Sequence, residues 1–158
     1  MKYEKLIEQL INLRFVTDKH ESHPEESTFH HVVQAYNIAK RESNDQDLHV
    51  AALFHDIGKL IDTFGHENFS LDILEAFGYY NEKVYWLIKN HMRIRWMLSG
   101  KLNKHGKIQK LLTSTWLPEL VHLRRLDGIS RVVGKRTEIN MNEVNDLLIE
   151  TGEYNENR

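Results

Sequence analysis

The sequence predicts an all-α fold, a single compact domain over residues 1–158 built as a bundle of about six to eight helices. Three observations predict it. Only two prolines, Pro24 and Pro118, interrupt the chain, so long helices are permitted. No segment alternates apolar and polar residues cleanly between turn residues, so the strand signal is weak. Apolar residues instead recur at helical spacing from one end to the other.

The elements follow in order. The opening MKYEKLIEQLINLRF predicts a helix from about Tyr3 to Phe15, with Tyr3, Leu6, Ile7, Leu10 and Ile11 on one face. It has no signal-peptide pattern, and no apolar run reaches the roughly 18 residues of a membrane span, so a cytoplasmic protein without a membrane partner is expected. Residues 17–28 are polar, contain Pro24 and read as a loop. Ser27 or Thr28 can cap a second helix to about Arg41, and Asp45 a third to about Leu60 that carries the apolar run VAALF. A fourth helix is predicted over about Glu67 to Phe77. Asn81 can cap a fifth, from Glu82 to about Arg93. Residues 96–107 read as irregular. Pro118 suits the first turn of a helix over about 117–133, Asn140 caps a last one to about Glu150, and the tail 152–158 reads as frayed.

Composition narrows the chemistry. Hydrophobic residues at 41% and charged residues at 28% are ordinary for a globular chain. A net charge of −2 argues against indiscriminate nucleic-acid binding, although a local basic patch remains compatible with it. Cysteine is absent, which excludes disulfides, thiolate chemistry and thiolate metal sites. Any metal must be held by His, Asp or Glu. The ten histidines outnumber the eight glycines, and their positions carry the signal.

The segment AALFHDIGKL, residues 51–60, puts His55 and Asp56 side by side in an apolar helix. A charge there is costly unless it is paired or bound to metal, and imidazole and carboxylate both suit divalent transition metals. His31, His66, His91 and Asp127 fall on separate predicted helices, each among apolar neighbours, and a bundle can aim such residues at one point. Each has a plainer alternative. His30 competes with His31, His66 can be an ordinary helix-start residue, His91 a core histidine, and Asp127 can pair with Arg124 or Arg131. His20, His23, His49, His105 and His122 read as surface or structural residues.

The order H…HD…H…H…D resembles the HD-domain superfamily of metal-dependent phosphohydrolases, over a motif-bearing core of about 28–133. AALFHDIGK, FGHENFS (64–70), LIKNHM (87–92) and LRRLDGISR (123–131) resemble the HD domains attached to bacterial tRNA nucleotidyltransferases. The resemblance implies one or two divalent metals (Mn, Fe, Co, Ni or Zn, with Mg also compatible). One is bound by His31, His55, Asp56 and Asp127, and a second by His66 and His91 with Asp56 bridging. It implies a phosphomonoesterase or phosphodiesterase acting on a nucleotide or a 2′,3′-cyclic phosphate, with RNA as a further candidate partner. Asp56 and Lys59 are then the catalytic candidates, with Lys59 also a candidate contact to substrate phosphate; Arg93, Arg95 and Lys104, in and before the basic run 101–110, are further candidate contacts if that run lies over the site and is not simply a solvated loop. Glu67 is placed to orient His66 or a metal-bound water. Two other functions fit the same residues: a di-iron oxygenase of the superfamily, and a regulatory or vestigial metal-binding module. Trp96 and Trp116, flanking the basic run KLNKHGKIQK (101–110), read as core residues rather than base-stacking platforms.

Overall fold

The computed structural model describes residues 1–17, 27–130 and 137–153. Eight α-helices are found among them: α1 (Glu4–Asn12), α2 (Thr28–Glu42), α3 (Gln46–Phe54), α4 (His66–Ala76), α5 (Glu82–Leu98), α6 (His105–Leu112), α7 (Leu117–Ile129) and α8 (Met141–Thr151). Short 3-10 turns cover Leu13–Phe15 and Ile57–Leu60. The described residues hold no strand, only one isolated bridge between Thr17 and Ser27. None of their helices is long and apolar enough to cross a membrane. His20, His23, Arg131 and most of the tail lie outside the described residues.

Helix starts follow from side-chain caps. Ser27, Asp45, Asn81 and Asn140 each accept a hydrogen bond from a first-turn backbone N–H, satisfying donors that the helix leaves unpaired. Asn81 does more, because its amide also donates to Asp47 at 2.8 Å and to the Thr151 carbonyl at 2.9 Å. One residue thus ties the starts of α3 and α5 to the end of α8.

α3 is the centre of the molecule. Leu48 and the run Val50–Phe54 are fully buried, so the helix has no solvent face, as expected of an element covered on all sides. It packs on α2, α5, α7 and α8. Around it, α1 contributes Leu6, Ile7 and Leu10, α2 contributes Val32, Val33 and Tyr36, and α5 contributes Val84, Leu87 and Ile88. Trp86 meets Trp116 edge-on at 5.9 Å and closes the seam between α5 and the start of α7.

Four boundaries depart from the sequence expectation, among them that of α7, which ends at Ile129 and not near residue 133. α3 stops at Phe54 instead of Leu60, so His55 and Asp56 stand on a turn just past the helix and not inside it. The cause is Ser70, a fully buried residue on α4. Its hydroxyl accepts from the Gly58 N–H at 2.8 Å and donates to the His55 carbonyl at 3.1 Å. In a continuing α-helix those two groups would bond Phe54 O and Lys59 N–H. Ser70 takes both, and Lys59 N–H bonds the Asp56 carbonyl in 3-10 fashion. Gly58 permits the approach, since a Cβ there would lie 2.0 Å from the His66 carbonyl oxygen. α5 runs on to Leu98 and ends where Gly100 adopts φ 79°, a left-handed conformation that suits glycine. Residues 105–112, read as irregular or left unassigned, form α6.

Candidate metal centre

Five elements converge on one point. His31 comes from the first turn of α2, His55 and Asp56 from the turn after α3, His66 from the first residue of α4, His91 from the middle of α5 and Asp127 from the last turns of α7. All six are buried. Their facing atoms form two groups, His31–His55–Asp56–Asp127 and Asp56–His66–His91, each within 4.8 Å of one another and both containing Asp56.

The two oxygens of Asp56 divide between the groups. Oδ2 lies 3.4 Å from His31 Nε2 and 3.3 Å from His55 Nε2, whereas Oδ1 lies 3.0 Å from His66 Nε2 and 3.7 Å from His91 Nε2. Asp127 Oδ1 sits 2.8 Å from His31 Nε2 and 3.3 Å from His55 Nε2. Asp127 therefore faces the histidines of other helices, not Arg124 of its own.

The imidazoles are fixed by the backbone. Each donates Nδ1–H to a carbonyl, His31 to Ser130, His55 to Ala52, His66 to Thr63 and His91 to Ile88, at 2.5 to 2.9 Å. That bond leaves Nε2 as the ring atom pointing into the cluster, the atom that binds metal once it carries no proton. His66 Nε2 and His91 Nε2 are only 3.1 Å apart. Asp56 Oδ2 is buried with no hydrogen-bond partner. Imidazole nitrogens, two carboxylates and an orphaned buried oxygen around one point are the donor set of a divalent cation, and nitrogen and oxygen donors without sulfur suit transition metals.

Charge balance in the metal-free centre follows the same logic. Burial disfavours the His55 imidazolium, but the Asp56 and Asp127 carboxylates outweigh it and push its pKa up to about 10. Burial would raise Asp56, yet His55, Lys59 and His66 hold it well below the usual carboxylate range. Asp127 is likewise held down, against its burial, by His31 and His55. Burial lowers His91, keeping its imidazole neutral. A proton on His55 stands where a cation would supply positive charge.

A cleft of about 1020 Å³ opens beside the Asp56–His66–His91 group, and His66 and Lys59 are part of its wall. Arg95, Lys101, Phe64 and Trp96 also line it. Lys59 holds its ammonium 3.6 Å from Asp56 Oδ2. Of the four candidate phosphate contacts, only Lys59 and Arg95 belong to this wall. Arg93 turns to Asn90 at 3.4 Å, and Lys104 is an exposed residue at the start of α6. Trp96, expected in the core, is a half-buried cleft residue, whereas Trp116 packs on Trp86. Glu67 does not orient His66, because its nearest oxygen is 3.9 Å from Nδ1 and the Thr63 carbonyl takes that proton. His30 is bonded to Thr137 and stands outside the cluster. His49 bonds the Ser43 carbonyl, His122 pairs with Glu42, and His105 is exposed at the start of α6.

Sequence reasoning missed the parts that are not side-chain chemistry. The carbonyls of Thr63 and Ser130 orient two ligands, and a backbone group leaves no mark in composition. Ser70 was within reach as part of FGHENFS, but no spacing rule marks a serine that breaks another helix.

A family model described as the HD domain matches residues 28–131, a span that contains all six donors. Comparison with curated proteins finds no match. The family consists in the main of metal-dependent phosphohydrolases. Well over half of this chain, including every residue of its buried His/Asp cluster, lies within the match, and the chain belongs to the HD-domain family.

Proposed function

We propose that this protein is a phosphohydrolase that cleaves a phosphate ester of a nucleotide or a 2′,3′-cyclic phosphate, with one or two divalent metals held by His31, His55, Asp56, His66, His91 and Asp127. The observation that carries it is the division of Asp56 between two donor groups, the outer of which adjoins a cleft whose wall holds Lys59, Arg95 and Lys101 beside Asp62 and Glu67. Bound divalent cations supply a water nucleophile active near neutral pH and charge neutralisation at phosphorus.

The chain's own residues supply the rest. Asp56 joins the groups and sets their separation. Lys59 offsets its charge and, from the cleft wall, stands ready to meet a phosphate oxygen. Arg95 and Lys101 draw an anionic substrate into the cleft. Phe64, 90% exposed, and Trp96 present apolar faces suited to a nucleobase. Burial of the donors keeps bulk water from competing for the centre.

The test is turnover of bis-p-nitrophenyl phosphate and a nucleotide panel by protein loaded with Mn²⁺, Co²⁺ or Ni²⁺. We expect release of phosphate or nitrophenol with at least one metal. No turnover in protein shown to contain metal overturns the proposal. Iron loaded anaerobically that then consumes oxygen, with no ester cleaved, replaces it with the oxygenase.

A further inference from the structure

Charge is segregated along this chain. Between Glu82 and Glu119 there is no acidic residue and there are eight Lys or Arg. The rest, with 13 basic and 23 acidic residues, carries −10. A net charge of −2 therefore conceals a segment of +8.

The structure gives that segment one exposed surface. Lys101, Lys104, Lys107 and Lys110 are all exposed, and none forms an ion pair among the described residues. Three other basic residues do have acidic partners: Lys40 with Glu143, Lys83 at the start of the segment with Asp45, and Arg125 with Glu42. α6 turns only Leu111, buried, and Ile108, half-buried, toward the body. Eight residues containing Gly106 are a marginal helix on their own, so this element is held out in solvent with little core to justify it. Arg95 and Lys101 belong at once to this surface and to the cleft that contains His66. Phe64 and Trp96 line the same cleft.

We propose that the surface from Arg95 through α6 is a track for single-stranded nucleic acid. Strand phosphates lie along Lys101, Lys104, Lys107 and Lys110, and a terminal base enters the cleft against Phe64 and Trp96. Unpaired cations leading to exposed aromatics are what a single strand uses, because phosphates give affinity and every base has a face to stack. An anionic membrane would also attract lysines, but Leu112 is the one large apolar side chain that α6 exposes, too little to insert, and the charge of this surface leads to the cleft. The inference rests on the phosphohydrolase proposal only for what happens to the strand's end.

The experiment is fluorescence anisotropy of a labelled, hydrolysis-resistant phosphorothioate oligouridine of about 20 nucleotides, titrated with the metal-loaded protein at several salt concentrations. We expect binding that weakens with salt, by about 0.7 in log–log slope per phosphate contacted. The double variant Lys107→Glu/Lys110→Glu should raise Kd about tenfold or more and flatten the slope. Lys107→Gln/Lys110→Gln should fall between, with metal content and bis-p-nitrophenyl phosphate turnover at parent level for both. Absent binding, unchanged affinity in the double variants, or binding to phosphatidylserine vesicles without binding to the oligonucleotide overturns the proposal. Ester turnover without strand binding removes this inference alone. Strand binding without turnover leaves it standing and removes the hydrolase.

Discussion

The two donor groups that share Asp56 are built differently. The inner group, His31, His55, Asp56 and Asp127, has four donors drawn from α2, the turn after α3, and α7. His31 is held there by both the carbonyl and the hydroxyl of Ser130. The outer group has three donors, and its His66 forms part of the cleft wall. Four protein donors make a closed site, whereas three leave room for water or substrate. On the proposed function, the comparison separates an inner group suited to holding a metal from an outer group suited to admitting substrate.

The largest effect should come from the residue common to both. Asp56→Asn keeps the shape and removes the charge that both groups need. We expect metal content to fall in both and activity to drop by about 10³-fold or more, the equivalent of several kcal/mol of metal-derived stabilisation. Elemental analysis checks this against His66→Ala, which should cost only the outer equivalent. Equal metal loss in the two variants would break the distinction.

Ser70→Ala sharpens the comparison from the protein side. It leaves the Gly58 N–H and the His55 carbonyl without their buried partner, at about 1–3 kcal/mol of stability. Those freed groups can resume the α3 ladder and turn His55 and Asp56 away from His66. We expect the outer metal to bind about 10–100-fold more weakly, the range for a residue that orients ligands. Thermal unfolding and metal titration read the two consequences separately.

The smallest effect, counted per pH unit, is that of pH on loading. In the metal-free protein His55 is held up at about 10, so it carries a proton at neutral pH that a cation must displace. Metal affinity therefore rises as pH rises toward 10 and falls on acidification, by about tenfold per unit for one displaced proton. Competition with a metal-sensitive dye at several pH values measures the slope. A flat profile would mean that the inner group is loaded without displacing that proton.

Much of the fold was legible because caps and apolar spacing are local. Ser27, Asp45, Asn81 and Asn140 stand at the starts that the sequence suggests. The donors were legible as chemistry, since His55 and Asp56 sit in an apolar segment that gives no other reason for them. What escaped was set from a distance. VAALFHDIGKL reads as one helix until Ser70, 15 residues past His55, takes over its hydrogen bonds. The end of α5 was placed near Arg93 because residues 96–107, with Gly100 and Gly106, read as irregular, whereas the helix runs to Leu98. α6 was hidden because it is short, has Gly106 in its first turn, and rests its apolar spacing on Ile108, Leu111 and Leu112 alone.

The break after α3 has a consequence for the order in which the molecule is made. A chain ending near residue 60 already contains His31, His55 and Asp56, but without Ser70 nothing stops α3 from running straight through the HD pair. The turn exists only once α4 has docked, and Asp127 follows 57 residues after Ser70. Up to that point the chain holds no clustered donor set, and the six donors stand at their fixed separations only in the folded protein.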